Sequence, residues 1–425
     1  MMTIQPKTVK NEGFSIHTIE TKQFKTNQVV VKFRAPLQKE NVTARALLPY
    51  ILQSRTKRWP TTASFRTHLD DLYGATANVD VTKKGESHIL SFSVDIANER
   101  YLKDTTPLTK EAFTVLAEIL FNPLTEGDGF SAKVVEQEKR SLKQRLEAAR
   151  DDKMKYATQR LIEEMCEGEP FALHPNGLIG EIDALTPEIL YQTYKQMLSE
   201  DAIDLYVVGD VEHEDILEFC QELLPFQTRP PYENENKTSV QKAESKKIVE
   251  RQSVKQGKLN IGYRTETVYG DEDYVPLIMM NGILGGFPHS KLFINVREKE
   301  SLAYYAASRI ESHKGLIFIM SGVDPGKIDR ASTIIQEQLS AIQEGSISDK
   351  EVDQTRAVMK NQMLETLDAA RGIIEVLYQS DICGNPFTID EWFEKVEAVT
   401  KEQIINVSKK IMLDTTYILT GKEEA

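Results

Sequence analysis

Two stretches of this chain repeat each other at nearly the same spacing. Ser131-Ala132-Lys133-Val134-Val135-Glu136-Gln137 resembles Ser348-Asp349-Lys350-Glu351-Val352-Asp353-Gln354, at an offset of 348 − 131 = 217. Leu185-Thr186-Pro187-Glu188 resembles Val399-Thr400-Lys401-Glu402, at an offset of 400 − 186 = 214. In both places a helical stretch follows, and then a strand that ends in glycine: Asp204 to Gly209 and Thr416 to Gly421. Agreement of offset and of order points to two copies of one folding unit. Between them runs a polar stretch with two adjacent prolines, Pro230 and Pro231, and few apolar anchors, which reads as a linker. The predicted organisation is an N-terminal domain over 1–226, a linker over 227–247 and a C-terminal domain over 248–425.

Within each copy, helix and strand periods mix. Leu90, Phe92, Val94 and Ile96 alternate with Ser91, Ser93 and Asp95, which predicts a half-buried antiparallel strand. Leu259, Ile261 and Tyr263 alternate similarly, as do Leu316, Phe318 and Met320. Phe113, Leu116, Ala117 and Leu120 fall on one face of a helix, and so do Ile335, Leu339 and Ile342. Ser348 and Glu351 form a capping box that opens a long helix with Val352, Met359 and Met363 inward. The expected class is α+β: two homologous α/β sandwich domains, each a mainly antiparallel sheet with helices on one face.

Composition narrows the partners. The chain has 425 residues, 40% hydrophobic and 28% charged, which suits a globular protein with a large core. Its net charge of −13 lacks the basic stripe that nucleic acid requires and argues against anionic membranes. No apolar run reaches the roughly 18 residues of a membrane span, and the first residues lack the apolar core of a secretory signal. Cys166, Cys220 and Cys383 are three in number, far apart and in no paired motif, which fits a reducing compartment. A cytoplasmic location is the expectation.

Chemistry-bearing motifs are scarce. The seven histidines are His17, His68, His88, His174, His213, His289 and His313, and no two lie three or four residues apart. The pairing that puts two imidazoles on one helix face toward zinc is therefore absent. His174 sits in His-Pro-Asn-Gly, which is turn chemistry, and the others read as surface or turn residues. No nucleophile elbow, phosphate-binding loop or dinucleotide fingerprint is present.

The most informative segment runs from Asn281 through Gly285, Gly286, Ser290, Leu292, Phe293, Arg297, Glu298, Ser301, Leu302 and Ala303 to Tyr304. It resembles the C-terminal-half signature of the pitrilysin/insulinase family of zinc metallopeptidases, in its processing-peptidase branch: glycines, then Ser-x-Leu-Phe, then Arg-Glu-x-x-Gly-Leu-Ala-Tyr. Ser301 departs from that pattern, where the family has glycine. In the first half, His174-Pro175-Asn176-Gly177, Gly180, Leu185-Thr186 and Val208-Gly209-Asp210 follow the family's succession. The resemblance covers essentially the whole chain, and the family is itself duplicated.

Active members carry H-x-x-E-H and, on a later helix, a glutamate that completes the zinc site. Counted back from Thr56, the matching positions here hold Ala46, Pro49 and Tyr50, and the later glutamate position holds Arg145, with Glu138 as a neighbouring acid. Alanine has no donor atom, a phenol is a poor substitute for imidazole, and an arginine repels a dication. The resemblance thus implies no metal, no cofactor and no catalytic residue of the chain's own. It also implies that Arg297 and Tyr304 reach the zinc site of a facing chain and hold a peptide there; the plain alternative is a surface ion pair with Glu298 or Glu300 and a core tyrosine. The expected function is a substrate-positioning subunit that acts on unfolded peptides beside a zinc-bearing partner of the same family. A peptide-binding or scaffold homodimer and an autonomous peptidase with an unrecognised site stand as alternatives.

Overall fold

The computed structural model describes residues 4–103, 106–229, 244–383 and 387–421. By packing, the chain divides into two units. One is built within Met1–Glu147, Leu173–Glu235 and Ala370–Ile374, the other within Ala148–Ala172, Asn236–Ala369 and Glu375–Ala425. Each is a mixed α+β unit around one large sheet.

The first unit contains β1 (Lys7–Asn11), β2 (Phe14–Glu20), β3 (Thr26–Pro36), β4 (Thr76–Lys84), β5 (Ser87–Ala97), a two-residue pair β6 (Thr125–Glu126) and β7 (Gly129–Phe130), and β8 (Ala202–Gly209). The main sheet has the order β1-β2-β8-β3-β5-β4. Every neighbouring pair is antiparallel except β2 with β8. Its helices are α1 (Val42–Ser54), α2 (Thr62–Asp71), α3 (Leu108–Phe121), most of α4 (Ala132–Asp151), and, beyond α5 (Lys153–Met165), α6 (Pro187–Glu200) and α7 (His213–Leu223).

The predicted alternation of β5 holds: Leu90, Phe92, Val94 and Ile96 are buried while Ser91, Ser93 and Asp95 are partly exposed. They join Val29, Val31 and Phe33 of β3 and the face of α3 that carries Phe113, Leu116 and Leu120 in one apolar core. Burial of each such side chain contributes about 1.5–3 kcal/mol. One ion pair lies inside this unit. Arg45 of α1 donates to both carboxylate oxygens of Asp201, at 3.0 and 2.6 Å, and each residue is 3% exposed. The bidentate geometry offsets the desolvation of both charges, so loss of one partner strands the other.

The second unit contains β9 (Lys246–Gln252), β10 (Gly257–Arg264), β11 (Ala303–Glu311), β12 (Leu316–Val323) and β13 (Met412–Gly421). The order is β11-β12-β10-β13-β9, and only β13 with β9 is parallel. This repeats β4-β5-β3-β8-β2 strand for strand, including the single parallel pair, so the duplication read from sequence is one of topology. Its helices are α5, α8 (Tyr274–Asn281), α9 (Ile328–Gln343), α10 (Asp349–Leu367), most of α11 (Ala370–Ile382), α12 (Ile389–Ala398) and α13 (Lys401–Ser408). Repeated motifs start equivalent helices. Thr186 caps α6 by accepting from Ile189 N–H at 3.3 Å, with Pro187 at the first position. Thr400 caps α13, and Ser348 with Glu351 forms the expected capping box on α10.

Two expectations need correction. Leu316, Phe318 and Met320 do not mark the core side of a half-exposed strand. Ile317 and Ile319 face the main core, while Leu316 and Phe318 pack with Leu161, Ile162 and Met165 of α5, so β12 is covered on both faces. Gly262 of β10 sits under that helix, where a Cβ would come within 2.5 Å of Met165 Sδ. The segment 148–172, which precedes the linker in sequence, thus packs with the second sheet. The linker is also shorter than 227–247 at its end: Lys246 and Lys247 already pair in β9. Residues 230–243 of that stretch lie outside the described residues.

A charge cluster fixes α5's end of this unit. Arg264 donates to Glu169 at 2.5 Å and meets Asp414 at 2.6 Å, and Lys314 contacts Glu169 at 2.7 Å. Burial pushes the Glu169 carboxyl up, but the bonds from Arg264 and Lys314 outweigh it and hold the group below its ordinary 4.5. Two non-glycine residues adopt left-handed backbone, Tyr73 at φ 60° and Ser301 at φ 49°. Ser301 therefore occupies a conformation that glycine takes without strain, which gives the family's glycine at this position a physical reason.

Arg45→Met should lower stability by about 3–5 kcal/mol in denaturant titrations, and the double replacement with Asp201→Leu by much less. Ser301→Gly should raise stability by about 0.5–1 kcal/mol, read as a higher melting temperature. For Glu169 the folded pKa is depressed, so its contribution is present above pH 4.5 and is lost as pH falls below it. Glu169→Gln should flatten that acid limb of the stability curve.

Candidate functional site

In the first unit, α1 and α4 bring together the positions that resemblance marks as a lost zinc site. Ala46 is fully buried in the core, and Pro49 is buried inside α1, where it removes one helical N–H. Tyr50 is half-buried against the same core. Arg145 of α4 is exposed, and its guanidinium carbon lies 3.8 Å from the centroid of the Tyr50 ring. A cation thus stands over an aromatic ring at two positions that the resemblance marks as those of metal ligands. Glu138, seven residues earlier on α4, is 9% exposed. Burial pushes its carboxyl above the ordinary value, partly countered by Arg145 and Arg55. One turn along α1, Gln53 donates to the carbonyl of Ala77 on the edge strand β4 at 2.5 Å.

These residues do not fit zinc. Alanine and proline side chains offer no donor, and the Tyr50–Arg145 stack brings a positive charge to the place of a dication. Among the described residues no group of three or more His, Cys, Asp or Glu side chains is arranged to hold a metal. The histidines are engaged in packing. His17 stacks on Tyr206 at 4.3 Å and His68 on Trp59 at 4.4 Å. His174 accepts from Asn176 N–H within its turn, His213 meets Thr18, His289 meets Thr355, and His313 stacks on Tyr269. His88 bonds the Pro175 carbonyl at 2.8 Å, and burial holds its pKa down to about 3. His17 and His88 are thus buried sheet residues rather than the surface or turn residues expected.

In the second unit, the signature segment is a support and a presented pair. After α8 the chain makes a π-helical turn over Gly282–Gly286 and a second over Phe293–Lys299. Gly285 packs directly on β11: a Cβ there would meet Ser308 N at 2.8 Å and Leu292 Cδ1 at 2.6 Å. Gly286 is looser, with Asn281 Nδ2 at 3.0 Å. Arg297 is exposed at the end of the second π turn, with its guanidinium 4.6 Å from the Phe293 ring. It forms no ion pair with Glu298 or Glu300 among the described residues. Tyr304 is 74% exposed and so is not a core residue. It lies where the β11–β12 register slips between Ala303 and Tyr305, on an edge strand. A bulge at a sheet edge re-aims its side chain away from the ladder. Sequence reading missed that bulge and the Tyr50–Arg145 stack, since neither leaves a periodic or motif signal.

No helix among the described residues is long and apolar enough to cross a membrane. Comparison with known proteins agrees with the geometry. Residues 184–359 match a family model described as the peptidase M16 inactive domain. The chain is 48% identical over 98% of its length, and 98% of the relative's, to a probable inactive metalloprotease, YmfF, of Bacillus subtilis (strain 168). It is 27% identical over 43% of its length, and 46% of the relative's, to an uncharacterized zinc protease, YmxG, of the same organism. Among solved structures, a conserved protein from Enterococcus faecalis V583 superposes with a TM-score of 0.92 at 33% identity, covering 99% of both chains. A peptidase M16 inactive domain from Pseudomonas fluorescens shares the fold, with a TM-score of 0.83 at 16% identity over 99% of both chains. The chain belongs to the M16 peptidase family, the pitrilysin/insulinase type that its signature segment resembles, as an inactive metalloprotease homologue without the H-x-x-E-H motif.

Proposed function

We propose that this chain is the non-catalytic, substrate-positioning subunit of a two-chain zinc peptidase, and that it supplies Arg297 and Tyr304 to a zinc-bearing partner of the same family. The observation that carries this reading is the presentation of Tyr304: an aromatic side chain, 74% exposed, at a bulge on an edge strand, with Arg297 exposed seven residues earlier and in no ion pair among the described residues. A residue kept for packing would be buried, and one kept for solubility would not be tyrosine. The guanidinium offers fixed donors to a developing oxyanion and the phenol one more. One edge of each main sheet, β4 and β11, suits an extended peptide that adds as a further strand. The partner then brings the metal, the activated water and the general base, while this chain aligns the peptide. Three cysteines in no disulfide, two of them buried, suit a cytoplasmic setting.

The test is turnover by the reconstituted pair, with the zinc-bearing relative recovered by co-purification. Arg297→Ala and Tyr304→Phe should each lower kcat/KM, with the larger loss, about 10²-fold, for Arg297. The purified chain alone should contain close to no zinc by elemental analysis. Unchanged turnover in both variants would falsify the positioning role.

A further inference from the structure

Tyr304 is exposed because the chain on either side of it is held elsewhere. Ala303 and Ala306 both lie in the apolar core of the second unit, although residues three apart on a regular strand point to opposite faces. The slip in register absorbs the difference. Ala303 pairs with Val323 and Tyr305 with Gly322, so Tyr304 is the extra residue and has no partner on β12. In the first unit β4 corresponds to β11, and it pairs with β5 from Thr76 to Lys84 without a slip. The bulge therefore belongs to the copy that presents the tyrosine.

The residue after the bulge is seated on the other face of the sheet. Gly322 stands opposite Tyr305 of β11 and opposite Lys258 of β10, so the three form one row across the strands. Leu259 and Ile261 face the core, which puts Lys258 and its row on the reverse face. Gly322, in the middle, leaves a notch, and the Tyr305 ring fills it: a Cβ on Gly322 would come within 2.5 Å of Tyr305 Cε1 and 2.9 Å of Gln256 Oε1. Lys258 Nζ closes the notch from the far side, 5.5 Å from the ring centroid, and donates to Gln256 Oε1. The Tyr305 hydroxyl is buried and makes no hydrogen bond among the described residues, so the ring itself holds this place. We propose that Tyr305 is the positioning residue of Tyr304: by filling the notch over Gly322 it keeps the neighbouring ring from folding onto the sheet and holds it outward. The use of that presentation toward a peptide rests on the reading of this chain as a substrate-positioning subunit.

The test is hydroxyl-radical footprinting of the full-length chain without a partner, read at single tyrosines by mass spectrometry. In Tyr305→Ala the vacated notch takes the Tyr304 ring, and oxidation at Tyr304 should fall about threefold as an exposed ring becomes half-buried. Tyr305→Phe keeps the ring and should leave that rate unchanged. Gly322→Ala fills the notch from beneath, and oxidation at Tyr305 should rise by about as much. Tyr73 and Tyr101, exposed in the first unit, should keep their rates in all three variants, which separates the effect from general unfolding. In the reconstituted pair, Tyr305→Ala should lower kcat/KM when Tyr304 is present and add no further loss to Tyr304→Ala. Unchanged oxidation at Tyr304 in Tyr305→Ala, an equal fall in Tyr305→Phe, unchanged oxidation at Tyr305 in Gly322→Ala, or additive losses in the double variant would each overturn the proposal. Because the footprint needs neither peptide nor partner, its failure is distinct from failure of the positioning role.

Discussion

Each unit depends on the insertion of its last strand beside its central one. β8 lies between β2 and β3, and β13 lies between β9 and β10, so neither sheet is continuous until the end of its half has returned. Such pairing closes a long loop, and its entropy is recovered only through the buried ladder and the apolar faces it brings together. β8 is accordingly buried over nearly its whole length, and β13 over Thr415–Leu419. The same insertion fixes what stays outside. With the middle of each sheet filled in this way, β4 and β11 are left at one edge of each sheet, opposite β1 and β9, and β11 carries Tyr304.

The two copies have diverged in what they do with that edge. On the first, α1 and α4 bring together the positions that resemblance marks as a lost zinc site, and the side chains there do not fit a metal. Pro49 stands inside α1, which runs on through it, Ala46 lies in the core, and Arg145 lies over the Tyr50 ring. The scaffold tolerates this because a stacked cation fills space and keeps its charge near solvent, whereas a lone buried charge would not be held. On the second, tight packing has been kept. Gly285 admits no side chain against β11, and Ser301 bears a backbone conformation better suited to glycine. Strain of that sort persists where the surrounding structure fixes the turn, and here the turn leads directly to Tyr304.

How a peptide chain loses chemistry yet keeps its fold follows from where the energy resides. Of the positions that the resemblance marks, Ala46 lies in the apolar core of the first unit and Tyr50 packs half-buried against it. By the resemblance, Ala46, Tyr50 and Arg145 stand at ligand positions and Pro49 at that of the general base, and all four lie on helices outside the strand pairings. The ion pairs that do matter to packing, Arg45 with Asp201 and Arg264 with Glu169, lie elsewhere.

The duplication, the α+β class, the capping box of α10 and the absence of a histidine pair for zinc were all legible in the sequence. Each is a local pattern: a repeated motif, a period of two or of three to four, a capping residue at fixed spacing. What the sequence could not show depends on residues distant in the chain. Burial of both faces of β12 required α5 to pack across the second sheet, and period-two reading sees only one face. The stack of Arg145 on Tyr50 joins positions almost a hundred residues apart on two helices. The exposure of Tyr304 arises from a slip in register against β12, and register is a property of a strand pair. Sequence thus determined which elements form and which chemistry is missing, because those are set by neighbours along the chain. Tertiary structure alone decided where the remaining cations and the tyrosine point, because that is set by what packs against them.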